Sequence, residues 1–110
     1  MIAKQTWDKW HVLEEDRITI INRDKRCVYC NEKFNSNSSK TKDTVEHIDN
    51  KTWKKNPPSV TDIAICCASC NASKSAKKLL DWLDSTYRKK KNINKDTVAD
   101  IIKEYIKINK

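Results

Sequence analysis

Residues 63–74 read IAICCASCNASK, a short apolar run that leads directly into two cysteines spaced as C-x-x-C, an asparagine and a lysine. The apolar residues Ile63–Cys66 predict a short buried strand, and from about Ala68 the pattern turns helical. We therefore expect a strand that passes into a helix through a cysteine pair at the centre of the fold.

A second cysteine pair, Cys27-x-x-Cys30, lies upstream of Cys67-x-x-Cys70, with 36 residues between the pairs. Four thiolates from two such turns can occupy the corners of a tetrahedron, which suits Zn²⁺ at Zn–S distances of ~2.3 Å. Four sulfur ligands leave no open coordination position, so the predicted zinc is structural. Disulfides are the alternative, and an odd total of five cysteines without a signal-peptide core disfavours them. Cys66 is predicted to be a small buried side chain, and its use as a ligand instead of Cys67 stays open.

The composition indicates a small basic domain. The chain has 110 residues, a net charge of +8, 37% apolar residues and no glycine. Because so small an apolar fraction leaves hydrophobic burial marginal, we expect a metal that staples the fold. No apolar run approaches the ~20 residues that span a bilayer, which disfavours a membrane protein and, without a signal peptide, predicts a cytoplasmic location. The basic balance predicts a polyanionic partner, most simply nucleic acid.

The positive charge is concentrated in the second part of the chain. Residues 1–70 carry a net charge of +2 and residues 71–110 one of +6. A group of basic residues between positions 74 and 91 is interpreted as a surface that contacts nucleic-acid phosphates, with a solvated helix face as the alternative. These residues are Lys74, Lys77, Lys78, Arg88, Lys89, Lys90 and Lys91.

Further elements are predicted on either side of the cysteine pairs. Residues 6–24 have apolar side chains near helical spacing, which predicts one helix capped by Thr6. Val45–Ile48 predicts a second short strand, and the helix that starts near Ala68 should bury an apolar stripe. The apolar positions are Trp7, Trp10, Leu13, Ile18 and Ile21 in the first helix, and Ala76, Leu79, Leu80, Leu83 and Tyr87 in the later one.

The last segment predicts an amphipathic helix that Asn94 caps and that packs on the core or on a second copy of the chain. Its apolar face consists of Val98, Ile101, Ile102, Tyr105 and Ile106. Trp82, like the two tryptophans of the first helix, is expected in the core. Trp53 is expected to anchor the loop between the strands or to stack on a base.

Polar residues that could take part in catalysis or metal binding lie between and after the cysteine pairs. Glu46-His47 falls on the predicted strand Val45–Ile48, and the second pair runs into Asn71-Ala72-Ser73-Lys74. The cysteine turns would bring His47 near Asn71, whereas His11 is expected to be an ordinary surface or packing residue. Asn31 is expected in a turn because asparagine tolerates left-handed backbone conformations, and that explanation is also open to Asn71.

Together these residues resemble the HNH endonucleases, which form the ββα-metal (His-Me finger) class of nuclease. The order Cys27-x-x-Cys30, Glu46-His47, Asp62, Cys67-x-x-Cys70-Asn71-x-x-Lys74 matches the pattern of that family, and His47 and Asn71 are 24 residues apart. The resemblance covers roughly residues 23–80 and implies a metal-dependent endonuclease of the restriction or phage type. Its products would carry 5′-phosphate and 3′-hydroxyl ends.

By this resemblance, His47 is the general base that deprotonates a water, and Glu46 and Asn71 hold a catalytic cation, Mg²⁺ or Mn²⁺, on the scissile phosphate. Asp62 takes the position of the family's middle asparagine, which fixes the loop behind the catalytic histidine. Lys74 corresponds to a lysine near the phosphates. Asp62 departs from the family pattern by adding a negative charge, which would either raise the pKa of His47 or accept a backbone N–H instead.

These expectations combine into one α+β domain, residues 1–110, that cleaves DNA and that dimerises if both strands are to be cut. Its parts are an N-terminal helix in 1–24, a zinc-stapled ββα core with its helix in 25–91 and the amphipathic helix in 92–110. One alternative is a non-catalytic zinc module that binds nucleic acid through residues 74–91. Another is an interaction module that associates through its final helix.

Overall fold

The computed structural model describes residues 4–48, 58–75, 77–85, 92–94 and 96–109. Its centre is a two-stranded antiparallel sheet of β1 (Asp43–His47) and β2 (Ile63–Cys67), in which His47 pairs with Ile63 and Asp43 with Cys67. Helix α3 (Ala68–Lys74) follows β2 without a loop. Both predicted strands and the strand-to-helix passage at the second cysteine pair are confirmed.

The sheet is covered on both faces, because alternate residues of a strand point to opposite sides. One face packs on helices α1 (Lys4–Lys9) and α2 (Glu14–Arg23), through a cluster of Trp7, Val12, Ile20, Val45, Ile63 and Ile65. The other face belongs to a larger cluster that includes the cysteine turns, α4 (Leu79–Leu83) and α5 (Asp100–Asn109). The described residues therefore form an α+β arrangement of two strands and five helices.

The N-terminal segment departs from the prediction of one helix over residues 6–24. Thr6 lies inside α1 instead of capping it, and the chain turns at Trp10–Leu13 before α2 begins. His11 adopts a left-handed conformation with φ 58°, and the Val12 N–H donates to Trp7 O at 3.2 Å across the turn. The break allows both Trp7 and Val12 to be buried, which a continuous helix would not do for residues five apart.

Because of this break, α2 buries a different face from the one predicted. Ile18 and Ile21 are exposed, and Ile20 is fully buried. The end of α2 is fixed by Arg23, whose guanidinium donates to the carbonyls of Val60 and Ile63, each at 2.7 Å. The neighbouring Asp24 accepts a hydrogen bond from the buried Ile65 N–H at 3.0 Å. These contacts join α2 to β2 and satisfy backbone groups at the edge of the sheet.

The predicted basic helix is also interrupted. Helix α3 ends at Lys74, and Ser75 takes a left-handed φ of 45°, so Lys77 and Lys78 lie in the connection to α4. Trp82 and Leu79 are buried as predicted, while Leu80 is 40% exposed. Several predicted positions lie outside the described residues: Trp53, Ala76, Tyr87, Arg88, Lys89, Lys90 and Lys91.

Helix α5 packs on the core of its own chain. Val98 and Ile102 are buried, and the rest of the predicted apolar face, Ile101, Tyr105 and Ile106, packs against the same cluster. The Asn94 side chain accepts backbone N–H groups of Asp96 and Thr97, so it caps the turn before α5 and not the helix itself. The face that an interaction module would have used is thus largely covered. Within the described ranges, no helix has the length and apolar character needed to cross a membrane.

Candidate metal centre and neighbouring polar cluster

The first cysteine turn is held by its own backbone. The Cys27 N–H donates to Glu32 O, and the Asn31 N–H donates back to Cys27 O, both at 3.0 Å. Asn31 has a φ of 63°, which confirms the predicted left-handed turn residue. This conformation allows Cys27 and Cys30 to point to the same side in a chain without glycine.

The second turn brings two further thiols to the first. Cys67 ends β2, and Cys70 lies in the first turn of α3. The four sulfur atoms lie within 4.8 Å of one another, and the Sγ atoms of Cys30 and Cys67 are 3.8 Å apart. A tetrahedral zinc with bonds of ~2.3 Å requires sulfur atoms separated by about 3.8 Å, so the cluster fits a structural zinc ion. Cys66 is buried outside this cluster, with its sulfur 3.6 Å from Thr44 Oγ1, as predicted.

The crowded thiols differ in their acidity. Hydrogen bonds from neighbouring thiols, that of Cys27 first, lower the pKa of Cys67 and bring the pKa of Cys30 to about 7. Hydrogen bonds within the cluster raise the pKa of Cys27 and of Cys70. Because zinc is held by thiolates, metal binding at this site must displace the protons that Cys27 and Cys70 retain.

Beside the cysteine cluster lies a buried charged group centred on Glu46. Its carboxylate, 4% exposed, accepts a hydrogen bond from the Tyr29 hydroxyl and lies 3.5 Å from the Lys74 ammonium. Burial raises the pKa of Glu46, while Lys74 and Tyr29 oppose that rise. Lys74 is 2% exposed and also donates to the His47 carbonyl at 3.3 Å. The sequence predicted Lys74 as an exposed contact for phosphate, whereas the structure buries it because Glu46 offers a partner inside.

Asn71 joins the same face of β1. Its side-chain amide donates to Thr44 Oγ1 at 3.0 Å, and Thr44 in turn donates to the Cys66 carbonyl at 2.7 Å. Thr44 and Glu46 are two residues apart on the strand and point to the same side. Asn71 lies within α3, so the alternative of a left-handed turn residue does not apply to it. The structure therefore places Asn71, through Thr44, and Lys74 on the same face of β1 as Glu46.

His47 points to the opposite face of β1. Its ring stacks on Trp10, with centroids 4.2 Å apart and planes at 27°. Burial lowers the pKa of His47, an effect that Asp62 opposes, so the imidazole is neutral near pH 7. The ring borders a cavity of about 380 Å³ that is also lined by Lys9, Trp10 and His11. The structure therefore separates the predicted base from the Glu46 group by the width of the strand.

Asp62 closes the end of the sheet behind His47. Its carboxylate accepts hydrogen bonds from the backbone N–H and the hydroxyl of Ser59, at 2.8 and 2.9 Å. Its carbonyl accepts the Ile48 N–H at 2.9 Å. Of the two roles left open for Asp62, the acceptance of a backbone N–H is confirmed, and the carboxylate also acts on the pKa of His47 from a distance.

The residues predicted to hold a catalytic cation have suitable ligand atoms, but both side chains already have partners in this structure. One carboxylate and one amide oxygen are ligands that Mg²⁺ and Mn²⁺ accept. In this structure the Lys74 ammonium already supplies the positive charge at Glu46, and the Asn71 amide nitrogen is engaged by Thr44. A cation at Glu46 would have to compete with Lys74.

The contacts of two residues in this region, Tyr29 and Trp10, were not predicted from the sequence. Tyr29 lies within the first cysteine turn. Its position between Cys27 and Cys30 is the sequence feature that could have indicated a contact with residues packed under the turn. Trp10 was assigned to the core, yet it is half-buried and stacks on His47. Comparison of the chain with protein-family models, with curated proteins and with solved structures finds no match.

Proposed function

We propose that this chain is a metal-dependent endonuclease of the HNH type that hydrolyses phosphodiester bonds in DNA. The observation that supports the proposal is that α3 lies along the Glu46 face of β1, where Lys74 pairs with Glu46 and Asn71 contacts Thr44. These residues follow the order that the HNH endonucleases show, in a chain whose four clustered cysteines suit zinc. The net charge of +8 supports a nucleic-acid substrate.

His47 is proposed as the general base. Its pKa is lowered by burial, so the imidazole can accept a proton from water near pH 7. The adjacent cavity gives its ring a route to solvent and substrate. His47 is the last residue of β1.

Glu46 and Asn71 are the residues that would hold the catalytic cation. A divalent cation there would stabilise the negative charge that gathers on the phosphoryl oxygens. The Lys74 ammonium lies 3.5 Å from the Glu46 carboxylate, so a cation held there would compete with Lys74. Asp62 keeps its positioning role behind His47, through Ser59 and the Ile48 N–H.

The test is plasmid cleavage by the purified chain in Mg²⁺ or Mn²⁺, beside the variants His47→Ala and Lys103→Gln. Lys103 is exposed on α5 and has no part in the proposed site, so its replacement is the control. We expect metal-dependent nicking or linearisation that is lost in His47→Ala and kept in Lys103→Gln. A chelator added as the metal-free control can remove zinc from the cysteine site as well as the catalytic cation. The zinc content of each sample is therefore measured.

A second candidate function is a non-catalytic zinc module that binds nucleic acid. It is favoured by one observation, the burial of Glu46 between Tyr29 and Lys74, which leaves little room for a cation. Lys77 and Lys78 are exposed and would contribute to its basic surface. DNA binding by zinc-loaded protein without cleavage in either metal would decide for this function and against the nuclease.

A further inference from the structure

The cavity beside His47 has three lining residues that the proposed mechanism does not use, namely Lys9, Trp10 and His11. They come from the end of α1 and the turn after it, which lies outside the part of the chain that carries the HNH-like motif. The volume of about 380 Å³ lies within the roughly 300–1,000 Å³ of small-ligand pockets. The cavity can therefore accept a group about as large as one nucleotide.

The turn that lines this cavity is held firmly. The Trp10 N–H donates to Trp7 O at 3.2 Å and the His11 N–H to Asp8 O at 3.0 Å. Trp7 and Val12, on either side of the turn, are buried at 3% and 2% exposure. The Trp10 ring is stacked on His47 itself. The backbone of the turn Lys9–His11 is thus fixed relative to His47 before any ligand binds, which lowers the entropic cost of binding.

The charge of this wall suits an anion. Lys9 and His11 are exposed, and no acidic side chain is among the described residues that line the cavity. The nearby carboxylate of Asp8 is paired with the Arg17 guanidinium at 2.6 Å, which offsets part of its negative charge. An ammonium and an imidazole N–H are groups that contact the phosphates of a nucleic-acid backbone.

We propose that the turn Lys9–His11 binds a backbone phosphate of the nucleic acid, next to the phosphodiester whose hydrolysis His47 assists. Lys9 supplies the positive charge, His11 supplies a hydrogen-bond donor, and Trp10 keeps the imidazole of His47 against this wall. The proposal rests on the proposed function, because it makes the turn part of the same substrate site. It adds a phosphate contact on the face of the sheet opposite to Lys77 and Lys78.

The test measures binding of a short fluorescein-labelled DNA duplex by anisotropy, without divalent cations and at several salt concentrations. The zinc-loaded full chain is compared with Lys9→Gln, His11→Gln and the control Lys103→Gln, which removes an exposed lysine from α5. We expect Lys9→Gln to lower the affinity about fivefold and to reduce the salt slope by roughly one phosphate contact. His11→Gln should weaken binding less, and Lys103→Gln should change neither quantity.

Failure of this site and failure of the nuclease give different results. If the wild-type chain binds DNA without cleaving it and Lys9→Gln still binds more weakly than Lys103→Gln, the nuclease is overturned and the phosphate site is supported. Equal affinities and equal salt slopes for Lys9→Gln, His11→Gln and Lys103→Gln would overturn the phosphate site, whatever the cleavage assay shows. A wild-type chain that does not bind the duplex would overturn the phosphate site, whereas the nuclease is tested by plasmid cleavage.

Discussion

The hydroxyl of Tyr29 donates a hydrogen bond to the carboxylate of Glu46, which joins the first cysteine turn to the strand that carries the candidate site. Tyr29 has no exposed surface, and its ring packs edge-on against Trp82, with centroids 4.9 Å apart. A metal that orders the cysteine turn would therefore also order the donor that faces Glu46. The cysteine cluster and the charged group around Glu46 are thus one connected structure.

Replacement of Tyr29 by phenylalanine tests this connection. Phenylalanine keeps the packing on Trp82 and removes only the donor, which leaves a buried carboxylate short of one hydrogen bond. We expect the free energy of unfolding to fall by about 1.5–3 kcal/mol, measured by urea denaturation of zinc-loaded protein at pH 7. In a Glu46→Gln background the same replacement should cost much less. An equal cost in both backgrounds would show that the hydroxyl does not act through Glu46.

The ion pair of Glu46 and Lys74 calls for a double-mutant cycle. Both side chains are nearly inaccessible, at 5% and 2% exposure, so the removal of either one leaves the charge of the other buried without its partner. Glu46→Gln and Lys74→Met should each lower the free energy of unfolding by about 3–5 kcal/mol. The double variant should lose less than the sum of the two, because it buries no unpaired charge. Additive losses in urea denaturation would contradict a direct pair.

The adjacent cysteines Cys66 and Cys67 offer a matched test of the metal site. Cys67→Ala removes one of the four clustered sulfur atoms, whereas Cys66→Ala removes a buried thiol outside the cluster. We expect the purified Cys66→Ala chain to hold one zinc per chain and to unfold cooperatively. Cys67→Ala should lose stoichiometric zinc and much of its thermal stability, since metal binding and folding are coupled. Metal analysis and circular dichroism check both; zinc lost from Cys66→Ala and kept in Cys67→Ala would reverse the ligand assignment.

The elements that the sequence predicted well are those set by local patterns. The spacing of Cys67 and Cys70 at the end of an apolar run indicated both the strand end and the start of α3, and together with Cys27 and Cys30 it predicted the cluster of four cysteines. Asn31 could be predicted as left-handed because few other residues tolerate that conformation after a cysteine turn.

What the sequence could not predict depends on tertiary contacts. Residues 6–24 contain neither glycine nor proline, so nothing local marked the break at His11, which the burial of Trp7 and Val12 explains. The sequence around Lys74 is typical of an exposed lysine. Its burial depends on its contact with Glu46, which in turn accepts a hydrogen bond from Tyr29. The opposite orientations of Glu46 and His47 follow from strand alternation, once β1 is known to be covered on both faces.

The stacking of Trp10 on His47 predicts how the imidazole titrates. Burial lowers the folded-state pKa of His47 below 6.5, so between that value and 6.5 the unfolded chain binds more protons than the folded one. The stabilising effect of a neutral His47 is therefore complete above pH 6.5 and decreases as the pH falls towards the folded-state pKa. We expect an NMR titration of the His47 ring protons to give a pKa below 6.5. Trp10→Ala should raise it towards 6.5 by admitting water, whereas Trp10→Phe, which keeps an aromatic cover, should leave it low. A wild-type pKa at or above 6.5, or the same pKa in Trp10→Ala, would mean that the indole does not shield the candidate base.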